Sequence, residues 1–179
     1  MAIINKEEGL IVVRIVYAGM PKAGKTETLK SLSVLLFGAE NAEKKHYSPE
    51  ETKGRTLYFD WLNYSGGCFQ GYKIDCQIIA VPGQKTLKER RKMLLSMADA
   101  VVFVIDSDKN KLADAHNYYL EMQPWLLREN EYSTGIILQA NKRDINSAAS
   151  LELIQSEFHD ADNLMLLETI AKNGKGISL

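Results

Sequence analysis

The sequence predicts an α/β fold in which helices cover both faces of a six-stranded, mostly parallel sheet with one antiparallel strand. Segments of strand type alternate with segments of helix type, which is typical of sheets built from strand–helix–strand units. The run 99–106 is apolar between its two terminal aspartates, as expected of a strand buried on both faces. Gly66 and Gly67 lie between two other strand-type segments and predict a hairpin turn, which supplies the antiparallel strand. We therefore expect a three-layer sandwich with its ligand at the carboxyl ends of the strands.

The first half of the chain is predicted to hold a strand, a helix and the hairpin. The apolar run 10–18 is a strand, and the segment from residue 25 to about Gly38 is a helix that the glycine ends. Residues 39–54 are polar and charged without a period of 2 or 3.6, which predicts a mobile loop. Residues 56–62 and 72–80 are rich in aromatic and β-type residues and form the two hairpin strands.

The second half alternates helices and strands. We expect helices at 85–98, 110–129 and 150–158, with Pro124 kinking or splitting the second, and strands at 99–106, 134–140 and 163–168. The outer face of the first of these helices is basic and is either an ordinary solvated surface or a docking patch for an acidic partner. Its residues are Lys85, Lys88, Arg90, Arg91 and Lys92.

Composition predicts one domain spanning residues 1–179. The chain is 45% hydrophobic, enough for one sizeable core, and its formal net charge of -1 offers no overall field for nucleic acid or an anionic membrane. We find no signal-peptide core and no apolar run of membrane-spanning length, so we expect a cytoplasmic protein without direct membrane insertion. Cys68 and Cys76 are expected to be reduced bystanders.

A phosphate-binding loop follows the first predicted strand. The segment from Gly19 to Thr26 reads G-x-x-x-x-G-K-T, and a helix begins at its end, which is the context this motif requires. We expect backbone N–H groups of the loop, with Gly19, Ala23 and Gly24 among its residues, to surround phosphate oxygens. Lys25 would reach the β- and γ-phosphates, and the Thr26 hydroxyl would bind Mg²⁺. A chance glycine turn before a helix is the alternative interpretation.

A second motif, Asn141-Lys142-Arg143-Asp144, follows a buried strand and predicts selection of guanine. The Asp144 carboxylate can accept from guanine N1–H and the 2-amino group, a donor pair that adenine lacks. Asn141 can join the base to the phosphate loop, and the alkyl stem of Lys142 can cover the ring face. After the last strand, the backbone N–H of Ala171 is a candidate donor to guanine O6.

Groups suited to GTP hydrolysis lie between these motifs. Gly83 can bring its N–H close to a γ-phosphate oxygen, and Gln84 can orient the attacking water. Thr56 offers a second hydroxyl for Mg²⁺. Arg55 beside it is either a donor that stabilises transition-state charge or a solvated residue at a strand edge.

With these motifs in this order, the chain resembles the Ras-like small GTPases along nearly its whole length, and within them the MglA group of bacterial gliding-motility and polarity GTPases. The likeness is carried by Arg14-Ile15-Val16-Tyr17, Arg55-Thr56-Leu57-Tyr58-Phe59-Asp60, Val81-Pro82-Gly83-Gln84, Val101-Val102-Phe103-Val104 and Gln139-Ala140-Asn141-Lys142-Arg143-Asp144. The resemblance implies a P-loop NTPase fold and a GTP/GDP switch that uses Mg²⁺ and sets the cell pole. It also implies slow hydrolysis stimulated by a Roadblock-type, MglB-like partner, with Arg55 and Gln84 completing catalysis.

Three features depart from the family pattern. Ala80 stands where most members carry an aspartate that holds a Mg²⁺-bound water, although the MglA group likewise lacks an acid there. Asp60 or Asp75 can substitute through water, and we favour Asp60. Pro21 occupies a loop position that is glycine in many relatives, where a side chain can crowd water or an arginine. The long helix that usually follows the last strand is also missing, so the chain is truncated or something else covers that face.

Two other functions remain open on the sequence alone. Ala80, Pro21 and the missing helix are also consistent with a GTP-binding scaffold whose turnover is negligible. An ATP-dependent phosphoryl-transfer enzyme would share the phosphate loop, but Asn141 and Asp144 argue against adenine.

Overall fold

The computed structural model describes residues 2–47, 59–84, 87–126, 134–159 and 164–177. Within these residues the chain forms one eight-stranded sheet flanked by five α-helices. The strands are β1 Ile3–Asn5, β2 Leu10–Ala18, β3 His46–Tyr47, β4 Asp60–Phe69, β5 Tyr72–Ala80, β6 Ala100–Asp106, β7 Gly135–Asn141 and β8 Met165–Glu168. The helices are α1 Lys25–Phe37, α2 Ala39–Lys45, α3 Lys88–Ser96, α4 Leu112–Met122 and α5 Leu151–Glu157. Short 3₁₀ turns lie at Lys109–Lys111, Gln123–Trp125 and Ala171–Asn173.

The strand order is β3-β4-β5-β2-β6-β7-β8, and β1 pairs with the start of β2. The strands from β5 to β8 in this order run parallel, whereas β4 is antiparallel to both of its neighbours. The predicted class is confirmed, but the prediction of six strands was wrong. The additional strands, β1 and β3, are three and two residues long, so neither has enough residues to show a period of 2.

Two hydrophobic clusters fill the spaces on the faces of the sheet. One lies under the helices of the second half of the chain and includes Phe103. The centre of its ring lies 5.3 Å from the centre of the Tyr119 ring and 6.1 Å from that of Phe158. The other lies under α1 and centres on Leu29 and Leu62, which are fully buried. The parallel strands are therefore covered on both faces, as their apolar sequences require.

The prediction of a mobile loop at 39–54 was wrong for its first part. Residues Ala39–Lys45 form α2 because alanine, glutamate and lysine are good helix formers, although seven residues are too few to show an apolar stripe. The Ser33 hydroxyl of α1 donates to the Ala42 carbonyl at 2.8 Å and attaches α2 to α1. His46 and Tyr47 then pair with β4. Residues 48–58 lie outside the described part of the chain.

The hairpin is present, but its turn is not at the glycine pair. Gly66 and Gly67 remain within β4, where the register shifts between Ser65 and Cys68 in a bulge. The chain reverses at Gln70 and Gly71, whose φ angles of 50° and 86° are those that a type I′ turn demands. The glycine pair therefore marks an irregularity inside the strand.

The other predicted elements agree with the structure within a few residues. Of the helix predicted at 110–129, α4 ends at Met122 and Pro124 lies in the 3₁₀ turn that follows it, while residues 127–129 lie outside the described part of the chain. Beyond β8 the described residues hold the turn Ala171–Asn173 and a bridge between Ile170 and Lys175. Among the helices described, none is long and apolar enough to cross a membrane.

Candidate nucleotide-binding site

Two neighbouring pockets open at the carboxyl ends of the parallel strands and share Gly24 and Glu27 in their walls. We name them after their expected ligands. The phosphate pocket, about 490 Å³, is lined by residues 21–22, 24–27, Lys30, Asp60 and residues 80–84. The base pocket, about 190 Å³, is lined by Gly24, Glu27, Asn141, Lys142, Asp144, Ile145 and residues 170–172. The structure therefore brings the predicted phosphate and guanine motifs to one edge of the sheet.

The lack of space for a side chain explains the two glycines of the phosphate loop, because each lies against a residue of a neighbouring strand. A Cβ atom at Gly19 would lie 2.3 Å from the Val104 carbonyl oxygen, and one at Gly24 would lie 2.1 Å from Nδ2 of Asn141. Both glycines also have positive φ, at 136° and 110°. The spacing of the motif thus reflects contacts with β6 and β7 as well as room for phosphate.

Lys25 is buried at the floor of the phosphate pocket. Its ammonium donates to the carbonyls of Gly19 and Met20, both at 2.8 Å. The pKa of Lys25 is lowered to about 7, mainly by burial and also by the charge of Arg91, and the charge of Asp60 partly opposes both. Anionic phosphate in this pocket would favour the charged lysine.

Asp60 supplies the carboxylate that Ala80 lacks. The two residues face each other across the β4–β5 ladder, and the Thr26 hydroxyl donates to Asp60 Oδ2 at 2.5 Å. Asp75 pairs instead with Val12 and Ser65, away from the pocket. The geometry therefore favours Asp60 over Asp75 as the acid near a metal.

The donor set of Thr26 and Asp60 fits Mg²⁺, which prefers hard oxygen ligands and completes its shell with phosphate oxygens and water. No cluster of three or more histidine, cysteine, aspartate or glutamate side chains suited to a metal occurs in the described ranges. The proposed second hydroxyl, Thr56, and the candidate Arg55 lie outside those ranges.

Gly83 and Gln84 line the phosphate pocket, where Gly83 packs against the phosphate loop. A Cβ atom at Gly83 would lie 2.4 Å from the backbone nitrogen of Pro21 and 2.7 Å from its Cδ. Pro21 therefore packs against the segment expected to sense the γ-phosphate, in addition to any crowding of water or an arginine by its side chain.

The assignment of Arg91 to the outer face of α3 was wrong. Arg91 and Leu95 are the buried residues of this helix, and one turn separates them. The Arg91 guanidinium donates to the Pro82 carbonyl at 3.3 Å and to the Gln84 carbonyl, and it lies 5.3 Å from the centre of the Tyr118 ring. Sequence reasoning missed this role because a basic run gives no sign of which member points inward.

The remaining basic residues of that face, Lys88, Arg90 and Lys92, are exposed, while Lys85 is outside the described residues. Lys88 pairs with Glu121 at 2.8 Å. Whether this surface is simply solvated or docks an acidic partner stays open.

Asn141 connects the phosphate loop to the segment after β8. Its Nδ2 donates to the Ala23 carbonyl at 2.9 Å, and its Oδ1 accepts from the Ala171 N–H at 2.9 Å and the Thr169 hydroxyl at 3.1 Å. The side chain is 2% exposed. The Ala171 N–H is thus engaged with Asn141, and its contact with guanine O6 stays a prediction.

Lys142 and Asp144 border the base pocket on the same loop. The Lys142 ammonium donates to Asp106 at 2.8 Å, and Lys111 donates to the same oxygen at 2.7 Å. Burial raises the pKa of Asp106, but the hydrogen bonds from Lys111 and Lys142 outweigh it and hold the pKa below its usual value. Asp144 is exposed. Sequence reasoning missed Asp106, although its position at the end of a buried strand was a usable signal.

Comparison with known proteins agrees with this geometry. The model of the ADP-ribosylation factor family matches residues 2–177. Mutual gliding-motility protein MglA of Myxococcus xanthus is 31% identical over 182 aligned positions, which cover 99% of this chain and 90% of MglA. ADP-ribosylation factor-like protein alp41 of Schizosaccharomyces pombe is 32% identical over 146 positions, covering 79% of this chain and 66% of alp41. The chain therefore belongs to the ADP-ribosylation factor family of Ras-like small GTPases.

Proposed function

We propose that this chain is a molecular switch that binds GTP and hydrolyses it to GDP with Mg²⁺, and that residues 1–179 act as one G domain. The carrying observation is the position of Asn141, which joins the phosphate loop to the wall of the base pocket through hydrogen bonds to Ala23 and Ala171. A nucleotide that filled both pockets would contact the two ends of this connection. The family membership supports guanine as the base, since small GTPases in general bind guanine nucleotides.

Selection of guanine is assigned to Asp144, with Lys142 and Ala171 around the base. Asp144 is exposed in the wall of the base pocket and can accept from the guanine N1–H and 2-amino groups. Lys142 lines the pocket and its ammonium is held by Asp106, which supports a role for its alkyl stem over the base. Adenine would leave the Asp144 carboxylate without its two donors.

Hydrolysis is assigned to the phosphate pocket. Lys25, Gly83 and the loop glycines would hold the phosphates, and Gln84 would orient the attacking water. Thr26, Thr56 and Asp60 would hold Mg²⁺, which when bound neutralises charge on the β- and γ-phosphate oxygens. Arg55 is proposed to stabilise transition-state charge.

The cellular role proposed is that of an MglA-like regulator of cell polarity or motility, acting in the cytoplasm where its nucleotide is found. The alignment with the M. xanthus protein over 99% of this chain supports this choice. A Roadblock-type, MglB-like activator is the expected partner, and its contact would bring Arg55 and Gln84 into place.

The nucleotide that copurifies with the protein tests the first step, together with thermal-shift titrations of GDP and ADP. We expect bound guanine nucleotide and stabilisation by GDP at lower concentration than by ADP. Preference for ADP would instead indicate an ATP-dependent phosphoryl-transfer enzyme.

The alternative function is a GTP-binding scaffold with negligible turnover, and the packing of Pro21 against Gly83 favours it because that contact crowds the γ-phosphate sensor. Single-turnover GTP hydrolysis by the unmodified protein and by Gln84→Leu, with and without the activator, separates the two. A switch loses its measurable rate on substitution of Gln84. Equal, near-zero rates in every arm would support the scaffold.

A further inference from the structure

Gln139 lies between the two halves of the site without lining either pocket. It is in β7, two positions before Asn141, and its side chain is 3% exposed. Its Nε2 donates to the hydroxyl of Thr28 on α1 at 3.0 Å and to the hydroxyl of Thr169, which follows β8, at 3.0 Å. One buried amide group thus contacts both the helix of the phosphate loop and the segment behind the base pocket.

Each threonine passes a hydrogen bond on to the site. The Thr28 hydroxyl donates to the Gly24 carbonyl at 3.0 Å, and the Thr169 hydroxyl donates to Asn141 Oδ1 at 3.1 Å. A hydroxyl has a single proton, whereas the NH₂ group of glutamine can only donate. Because both hydroxyls accept from Gln139, their protons point away from it, toward Gly24 and Asn141.

We infer that Gln139 is a positioning residue that sets the direction of both hydrogen-bond chains and so orients Asn141 for nucleotide binding. This inference rests on the proposed function. With its Oδ1 toward Thr169 and Ala171, Asn141 directs its Nδ2 at the Ala23 carbonyl. The reverse orientation would bring the Asn141 NH₂ against the Ala171 N–H, and its carbonyl oxygen against that of Ala23. Only the observed orientation of the Asn141 amide satisfies both the Ala23 carbonyl and the Ala171 N–H.

Gln139→Glu and Gln139→Met separate direction from packing. A carboxylate accepts only, so glutamate would draw both threonine protons toward itself and remove one of the two donors from the Gly24 carbonyl and one of the two from Asn141 Oδ1, which keep the Thr28 and Ala171 N–H groups. Methionine has a similar length and leaves the threonine protons free to keep their present acceptors. A purely structural role would make the two variants similar, whereas a directional role makes glutamate the more harmful.

The measurement is the rate of dissociation of fluorescently labelled GDP from folded, loaded protein, a readout that global stability alone does not move. Loss of the buried hydrogen bond from Thr169 to Asn141 predicts acceleration on the order of tenfold for Gln139→Glu, and about threefold or less is expected for Gln139→Met, which keeps that bond. Ser33→Ala is the matched control, since Ser33 is a buried hydroxyl of α1 that bonds to α2, and its rate should equal that of the unmodified protein. Equal rates for the glutamate and methionine variants would overturn the inference.

Repulsion between a new carboxylate and the phosphates would also speed release, and a double-mutant cycle with Thr169→Val distinguishes it. If Gln139 acts through Thr169, the two substitutions are not additive, because the first already removes the contact that the second deletes. Additive effects contradict the inference. Should Gln139→Glu fail to fold, Thr169→Ser and Thr169→Val decide: serine keeps the hydroxyl and should match the unmodified rate, valine should not, and equal rates overturn the inference.

The unmodified protein provides the separate check on the proposed function. If it binds GDP no better than ADP, the guanine-nucleotide switch is wrong whatever the variants do. If it prefers GDP and the Gln139 variants release it at one common rate, only the role of Gln139 fails.

Discussion

At the base pocket, the side chain of Asn141 is fixed by hydrogen bonds to neighbouring residues. At the phosphate pocket, the ammonium of Lys25 is bound by carbonyls of the phosphate loop, the same loop that a phosphate ligand would contact. Asn141 makes hydrogen bonds to Ala23, Thr169 and Ala171, and is buried. Lys25 is also buried, but its ammonium donates to the carbonyls of Gly19 and Met20, inside the phosphate loop itself.

This difference between the pockets indicates which of them should supply the affinity for nucleotide and which should respond to the γ-phosphate. The base pocket is preorganised, so little conformational free energy is lost when a base enters. In the phosphate pocket, a ligand has to share the Lys25 ammonium with two carbonyls and accommodate the contact between Pro21 and Gly83. We therefore expect the base pocket to change little between nucleotide states, and the phosphate pocket to carry the conformational change.

Asn141→Ala breaks the preorganised side and should have the largest effect. It removes the acceptor of the Ala171 N–H and of the Thr169 hydroxyl proton, and it removes the Asn141 donor to the Ala23 carbonyl. We expect the free energy of GDP binding to weaken by about 3 kcal/mol, roughly 150-fold in Kd. Fluorescence titration with labelled GDP measures it. Asn146→Ala, at an exposed asparagine of the same loop, is the control, and an equal loss there would contradict the comparison.

Arg91→Met removes the hydrogen bonds that hold the backbone on both sides of Gly83, the residue expected to sense the γ-phosphate. The variant loses the donors to the Pro82 and Gln84 carbonyls, so we expect the free energy of unfolding to fall by about 2–3 kcal/mol. Loss of its charge should also raise the pKa of Lys25. Arg90→Met, at the exposed neighbouring arginine, should stay within about 0.5 kcal/mol in urea unfolding. Equal effects would show that the buried contacts carry no special weight.

Gly83→Ala tests the contact between the sensor and the phosphate loop. A Cβ atom there meets Pro21 and the Met20 backbone at under 3 Å, and such overpacking should cost about 1–2 kcal/mol of unfolding free energy. Adding Pro21→Gly should recover part of the loss, because it removes the Cδ contact. Gly135→Ala, where a Cβ meets nothing within 4 Å, is the control. If the losses of unfolding free energy from the two substitutions add in the double variant, the steric contact between residues 21 and 83 is contradicted.

The smallest expected effect, taken over a single pH unit, is a pH dependence from Lys25. Its pKa is about 7 in the folded chain against 10.5 for the ordinary side chain, so between these values the unfolded chain binds a proton that the folded chain does not. Stability without nucleotide should therefore rise with pH across this window, by at most about 1.4 kcal/mol per pH unit. Phosphate restores the charged lysine, so GDP binding at pH 8 should take up close to one proton, and affinity should fall as pH rises above about 7.

Calorimetry of GDP binding in buffers of different ionisation enthalpy measures the proton uptake. Lys30→Met, at an exposed lysine in the wall of the same pocket, should preserve it. Binding enthalpies that do not depend on the buffer would contradict the depressed pKa of Lys25.

The sequence was sufficient to identify the motifs that line the two pockets but not the contacts within them. Each motif is short and contiguous, so the loop from Gly19 to Thr26 and the run from Asn141 to Asp144 are visible without a fold. Asp60 opposite Ala80 was only a preference, because two aspartates were available and register alone places one of them in the pocket. The turn at Gln70 escaped prediction because a glycine pair nearby gave the stronger local signal.

By itself, the sequence determined the order of the longer strands and helices, the phosphate loop and the residues expected to select guanine, because local periodicity and backbone demands produce these features within a few residues of chain. Tertiary structure alone decided which polar side chains are buried and what they hold. Arg91 faces inward while Arg90 does not, and Gln139 meets two threonines that are distant in the chain. Such choices depend on packing between elements, where the cost of burying an unpaired polar group selects one arrangement from several that the sequence permits.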